Sequence, residues 1–188
     1  MIFEIIQTGD QAWISAFNTT LESVEDLFRA FAEKCPEVSV QLVDLDRVPG
    51  PRYLTLATVN AAKSFHSRQP IAKTLSMELL LYIAGERQIN EALRRVGITS
   101  ETHRVAAIAV GSSTNEVSAA AGLLREMLGQ DGNDQLLDDW PQLRVENVRS
   151  GFDIGAKELR AIARKSESVD VALGRVAIER SAMLASRR

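Results

Sequence analysis

The spacing of apolar positions indicates helices over most of the chain. After Ser23, which we expect to cap a helix, apolar side chains recur at the i, i+3, i+4, i+7 positions of one helical face until Pro36. Residues 52–66 also show helical spacing, although their β-branched and aromatic content leaves a strand over 52–59 as the alternative. Residues 75–84 are apolar nearly all round, which predicts a buried central helix.

Strands are predicted at fewer places. Residues 2–7 have strand character, and apolar and polar residues alternate over 38–45, which predicts a strand with one buried face. Residues 104–110 form a continuous apolar run of strand length. We predict a short helix over 10–17, because its two large aromatic residues lie four positions apart.

The order of these segments indicates the fold class. Further helices are predicted over 85–97, 114–128, 155–165 and 168–184, the last two forming a C-terminal pair within 155–184. Strands do not alternate regularly with helices, which argues against a doubly wound parallel sheet. We therefore predict an α+β fold in a single domain, 1–188: a small, mainly antiparallel sheet of three to four strands, covered by six to seven helices.

The segment GERQINEALRRVG, residues 85–97, combines an apolar face with a dense set of charges. At about 100° per residue, its apolar face consists of Ile89, Ala92, Leu93 and Val96. The opposite side carries Arg87, Glu91 and Arg94, and Gly97 closes the segment. By periodicity alone, this is an ordinary surface helix with internal ion pairs.

Charge is distributed unevenly along the chain. The net charge is −3, yet residues 47–104 hold nine basic and four acidic side chains. Such a basic block is consistent either with a site for phosphate or for an acidic partner, or with a solvated face. Aromatic residues make up only 5% of the chain, which argues against large stacking platforms for single-stranded nucleic acid.

The sequence contains no catalytic motif that we can identify. It has no phosphate-binding loop of the GxxxxGK[ST] type and no nucleophile elbow, and we predict no catalytic residue, metal site or cofactor. An unfamiliar enzyme site around Asp44, Asp46 and His66 is the alternative. The longest apolar run, Leu79–Ala84, is far shorter than the roughly 20 residues that span a bilayer. We expect a cytoplasmic protein without membrane contact.

Residues 70–98, PIAKTLSMELLLYIAGERQINEALRRVGI, carry one long pattern without gaps. Its parts are "IA", then "S-x-E-(I/L)-L-x-x-(A/I)-(S/A)-G", then "x-R-Q-I-x-x-A-(I/L)-x-x-(I/V/M)-G". The matching positions are Ile71, Ala72, Ser76, Glu78, Leu80, Gly85, Arg87, Gln88, Ile89, Ala92, Leu93, Val96 and Gly97. This signature region resembles that of the TPRKB (PRPK-binding) family, the small regulatory subunits of the KEOPS complex (EKC in eukaryotes), and we expect an archaeal source. The resemblance extends loosely over most of the chain, but residues 130–150 match no part of it.

The resemblance implies a non-catalytic function. The KEOPS complex makes threonylcarbamoyladenosine in tRNAs, and subunits of this family bind its kinase-like ATPase subunit directly and stimulate it. Contact with the other KEOPS subunits is then indirect. In archaeal relatives the same subunit also captures the single-stranded CCA end of tRNA. The alternative within the family is a kinase-binding subunit without RNA binding.

These roles can be assigned to candidate residues. For RNA we expect cations of the basic block to bind phosphates, namely Arg87, Lys63, Lys73, Arg94 and Arg95. Arg87 can instead hold the turn at Gly85. For the kinase-like partner we expect apolar helix residues, namely Leu93, Val96, Val176, Ile178 and Met183. Each of these can equally belong to the core.

Overall fold

A four-stranded antiparallel sheet, in the order β1-β2-β4-β3, organises the described part of the chain. The computed structural model describes residues 1–21, 23–67, 70–129, 132–162 and 168–182. The strands are β1 (Ile2–Ile5), β2 (Asp10–Asn18), β3 (Ser39–Asp44) and β4 (Arg104–Gly111).

Eight α-helices lie within the described residues, slightly more than the six to seven predicted, and the α+β class is confirmed. They are α1 (Val24–Lys34), α2 (Pro51–Phe65), α3 (Leu75–Ala84), α4 (Ile89–Val96), α5 (Thr114–Met127), α6 (Gln142–Gly151), α7 (Ala156–Ile162) and α8 (Val169–Ala182). Two short 3-10 helices span Leu45–Arg47 and Asp134–Asp138. Residues 52–66 are therefore helical, and the strand alternative for that segment is wrong.

The sheet separates two hydrophobic layers. One face of β2, including Ala12 and Ile14, packs with α2 and α3. The other face, including Trp13 and Phe17, packs with α1 and α5. Because successive side chains of a strand point to opposite faces, the central strands must be apolar on both sides.

This arrangement explains two errors in the strand predictions. Residues 10–17 belong to a strand and not to a helix. Residues four apart share a face in a strand as well as in a helix, so their spacing could not distinguish the two structures. Pairing with β1 and β4 makes this segment a strand. Residues Val40–Val43 of β3 are all buried, so this strand does not have the single buried face that its alternation indicated.

Helix α3 is buried almost completely and is held at its N-terminal end by a buried carboxylate. Glu78 has no exposed surface. It accepts hydrogen bonds from the Ala72 N–H group at 2.7 Å and from the Ser64 hydroxyl at 2.6 Å. The Thr74 side chain caps the same end of the helix. These bonds tie the residues just before α3, and the last turn of α2, to α3.

Residues 132–150, which belong to the segment that matches no part of the family signature, are anchored by a buried arginine. Arg144 lies in α6 and is fully buried. Its guanidinium group donates to the carbonyl groups of Val48 at 3.1 Å and Asp139 at 2.6 Å, and lies 4.5 Å from the ring centre of Trp140. Burial, reinforced by the nearby charge of Arg104, lowers its pKa to about 10, so the group stays charged at neutral pH. One side chain thus ties α6 to the turn that precedes α2.

The C-terminal pair of helices is present in the described residues with shorter bounds than predicted. Helix α7 ends at Ile162 and α8 spans Val169–Ala182. The predicted bounds 155–165 and 168–184 extend into residues 163–167 and 183–188, which lie outside the described residues. Among the described helices, none is both long and apolar enough to cross a membrane.

Candidate functional site

The turn between α3 and α4 is built on a left-handed glycine. Gly85 ends α3 with φ 66°, a conformation that favours glycine. Helix α4 starts at Ile89, with Gln88 as its N-cap residue. Arg87 therefore lies exposed in the turn before the helix, and not in the first helical turn as predicted.

Arg95 closes the C-terminal end of α3. Its Nη1 donates to the Ala84 carbonyl group at 2.9 Å, and its Nη2 pairs with Glu86 at 2.5 Å. The guanidinium carbon lies 5.6 Å from the ring centre of Phe152. Only 20% of the side chain is exposed. Arg95, which the sequence suggested for RNA, is thus committed to contacts inside the protein.

Arg94 differs from its neighbour in all these respects. Its side chain is 71% exposed, and it pairs with Glu91 on the helix surface at 2.6 Å. An exposed pair of this kind contributes little to stability, and the guanidinium group retains donors for a ligand.

The apolar face of α4 is divided between core and surface. Ala92 and Val96 have no exposed surface and pack in the core. Ile89 and Leu93, one helical turn apart, are 44% and 47% exposed. Leu93 therefore remains available to a partner, whereas Val96, which the sequence suggested for the interface, is a core residue.

The candidate partner residues of α8 have similarly divided positions. Val176 is 2% exposed and belongs to the core, so its side chain offers no surface to a partner. Ile178 is partly buried and packs on the same core. Met183 lies outside the described residues.

The basic candidates lie at opposite ends of α3. Lys63, in the last turn of α2, and Lys73, just before α3, are exposed near the Glu78 end. Arg87 and Arg94 follow the other end. A helix of ten residues is about 15 Å long, so these cations do not form one continuous patch.

A cavity of about 390 Å³ adjoins α4 and contains residues that the sequence did not single out. Arg47 lines it and donates from Nη1 to the Arg94 carbonyl group at 2.9 Å. The other lining residues are Arg94, Arg95, Asn147, Ser150, Gly151 and Asp153. The residues from α6 could not be found from the sequence, because the segment that contains them carries no recognisable pattern.

The alternative enzyme site is not assembled. Asp44 accepts the Asp46 N–H group at 2.9 Å, and Asp46 pairs with Arg104 at 2.5 Å. His66 instead pairs with Asp10, at the opposite end of the sheet and roughly 20 Å away along the strands. Burial raises the pKa of Asp44, whose carboxylate also pairs with Arg47 at 3.1 Å. Within the described ranges, no group of three or more acidic, His or Cys side chains is placed to hold a metal ion.

Comparison with known proteins identifies the family. A family model described as "Kinase binding protein CGI-121" matches residues 19–180. The chain belongs to the CGI-121 family. The family that the signature region indicated is thereby confirmed, and the match includes the Arg144 segment that had resembled nothing. No curated protein matches the chain.

The two neighbouring arginines of this CGI-121 protein should differ in their effect on stability. Arg95→Gln removes a bond to a helix-end carbonyl group and leaves Glu86 without its partner, so we expect a loss of about 2 kcal/mol in the free energy of unfolding. Arg94→Gln removes only an exposed ion pair and should change the free energy of unfolding by less than about 0.5 kcal/mol. Urea denaturation of both variants measures the difference. Equal losses would show that Arg95 does not hold the end of α3.

Proposed function

We propose that this protein is a non-catalytic subunit of the KEOPS complex, which binds the kinase-like ATPase subunit directly and stimulates it in tRNA threonylcarbamoyladenosine synthesis. The observation that carries the proposal is the family match over residues 19–180 to kinase binding proteins. The signature over residues 70–98 supports the KEOPS assignment, and a cytoplasmic location is part of the same proposal. The separation of His66 from Asp44 and Asp46 does not favour the alternative enzyme site.

The exposed part of α4 is the surface that we propose for the kinase-like partner. Ile89 and Leu93 form an apolar strip, each nearly half exposed, and Glu91 and Arg94 lie beside it. An apolar centre with a charged rim is the usual composition of a protein interface. Ile178 of α8 remains a further candidate for this surface. Val96 and Val176 are no longer candidates, because their side chains are buried.

A charge placed on this strip should weaken kinase binding. We expect Leu93→Glu to raise the Kd for the kinase-like subunit about tenfold or more, because an unpaired carboxylate would be buried in the apolar centre. Isothermal titration calorimetry with the purified kinase-like subunit measures the effect.

Leu143→Glu provides a matched control. Leu143 is also an exposed helical leucine, 58% exposed, but it lies on α6. The control should bind like the wild type, and both variants should keep the wild-type circular dichroism spectrum. If a folded Leu93→Glu variant binds as tightly as the control, α4 is not the kinase contact.

We further propose that the protein helps to recruit tRNA through the 3′ CCA end. The exposed cations Arg87 and Arg94 at one end of α3, and Lys63 and Lys73 at the other, support the proposal because they are accessible to phosphate groups. Arg95 can contribute only indirectly, by holding the turn that carries Arg87. The pairing of Arg94 with Glu91 is the observation that favours the alternative, a kinase-binding subunit without RNA binding.

Binding of tRNA should depend on its tail. We expect tRNA that lacks the CCA end to bind about tenfold or more weakly than intact tRNA, and Arg87→Ala to reduce this difference. The Lys63→Ala, Lys73→Ala double variant tests the other end of α3. Fluorescence anisotropy at constant salt measures all these affinities. If the wild type binds tRNA equally well with and without the tail, capture of the CCA end is wrong for this protein.

A further inference from the structure

The two edges of the sheet differ in how well they are covered. Strand β3 forms one edge, and its residues Val40–Val43 are all buried. Strand β1 forms the other edge, where Ile2 is 45% exposed and Ile6, which follows the strand, is 83% exposed. Open sheet edges are commonly protected by a lysine, a proline or a bulge. The sequence of β1, IFEI, contains no lysine or proline, and its register with β2 is continuous, without a bulge.

The free edge of β1 presents backbone hydrogen-bonding groups. Just before the strand, the Ile14 N–H group donates to the Met1 carbonyl group and the Met1 amino group donates to the Ile14 carbonyl group, each at 2.9 Å. Bonded and non-bonded residue pairs alternate along an antiparallel ladder. In this register the N–H and carbonyl groups of Ile2 and Glu4 therefore point away from β2. Two donors and two acceptors face the open side of the sheet.

The side chains beside these groups define the strand that the edge prefers. Ile2 and Glu4 are two positions apart and so lie on the same face, and both are exposed. The cross-strand neighbour of Glu4 on β2 is the neutral Gln11, so β2 supplies no opposite charge at that position. Opposite charges directly across a ladder attract and like charges repel. The edge thus favours a strand with an apolar residue opposite Ile2 and a lysine or arginine opposite Glu4.

Charge argues against a second copy of this chain as the occupant. The sequence IFEI contains no basic residue, so a second β1 offers no cation to Glu4. Residues 1–46 hold nine acidic and two basic side chains. Pairing two copies through β1 would bring two such acidic segments together, which like-charge repulsion opposes.

We infer that β1 accepts an extended basic segment of another protein as a fifth, antiparallel strand of the sheet. The backbone groups of Ile2 and Glu4 provide four hydrogen bonds to this segment, and their side chains select an apolar residue and a cation two positions apart. Strand β1 precedes residues 19–180, which match the family, so the inference does not rest on the proposed function.

The test uses a short peptide with capped ends, in which isoleucine, lysine and isoleucine alternate with threonine. A second peptide has glutamate in place of the lysine. A third keeps the first sequence but carries N-methyl groups on its isoleucine and lysine residues, which removes the backbone donors. Titration of the ¹⁵N-labelled protein, followed by NMR, measures the Kd of each peptide.

The lysine peptide should bind most tightly. We expect its Kd to be about fivefold lower than that of the glutamate peptide, because of the charge opposite Glu4. N-methylation should raise the Kd about tenfold or more, because the backbone hydrogen bonds are lost. The bound lysine peptide should also slow hydrogen exchange of the Ile2 and Glu4 N–H groups about tenfold.

A charge reversal at the edge should reverse the preference. Glu4→Lys should bind the glutamate peptide more tightly than the lysine peptide, a reversal that misfolding cannot produce. Glu33→Lys is the matched control, because Glu33 is also an exposed glutamate but lies on α1. This variant changes the net charge by the same amount and should keep the wild-type order of affinities.

Three results would overturn the inference. The first is that no peptide binds with a Kd below about 10 mM, or that the N-methylated peptide binds as tightly as its parent. The second is equal affinity for the lysine and glutamate peptides, which would show that Glu4 does not select a cation. The third is a dimer of the protein alone in analytical ultracentrifugation that Ile2→Asp dissociates, which would assign the edge to a second copy.

Discussion

The burial of α3 is the constraint on which the rest of this structure depends. The helix is apolar nearly all round and packs between the sheet and its neighbouring helices. Its polar ends must still be satisfied away from water, because an unpaired buried polar group is costly. Thr74 caps the first end, and Arg95 serves the last together with Tyr53, whose hydroxyl donates to the Ile83 carbonyl group at 2.9 Å.

The same constraint places the surface that we propose for partners. Arg95 of α4 donates to the Ala84 carbonyl group at the end of α3, so α4 lies beside that end of α3. In this position Ala92 and Val96 pack against the core. Leu93 and Arg94 are then turned outwards. One side of α4 thus stabilises the fold, and the other side carries the exposed apolar and basic groups that we propose for partners. The two adjacent arginines lie in different environments for this reason.

Much of the fold could be predicted from local pattern. The buried helix α3, the Ser23 cap and the apolar strand β4 follow from composition and periodicity alone. The strand that contains Trp13 and Phe17 could not be predicted in this way, because the spacing of its aromatic residues fits a helix equally well. Only its pairing with neighbouring strands distinguishes the two structures.

The site could be predicted only in part for a similar reason. The pattern identified the apolar face of α4 but could not show which half of it is buried, because that depends on where α3 lies. The contacts of Arg47 with α4 and of Arg144 with the 45–48 turn join residues that lie 47 and 96 positions apart in the chain, and no local pattern contains such contacts.

The central claim is that this CGI-121 protein acts only through its partners, and reconstitution tests it most directly. The other subunits of the proposed KEOPS complex are assembled with tRNA, threonine, bicarbonate and ATP, with and without this protein, and both ATP hydrolysis and threonylcarbamoyladenosine are measured. The predicted result is that the protein alone hydrolyses no ATP, yet raises both quantities when added to the complex. ATP turnover by the protein alone, or no change in either quantity on its addition, would contradict the claim.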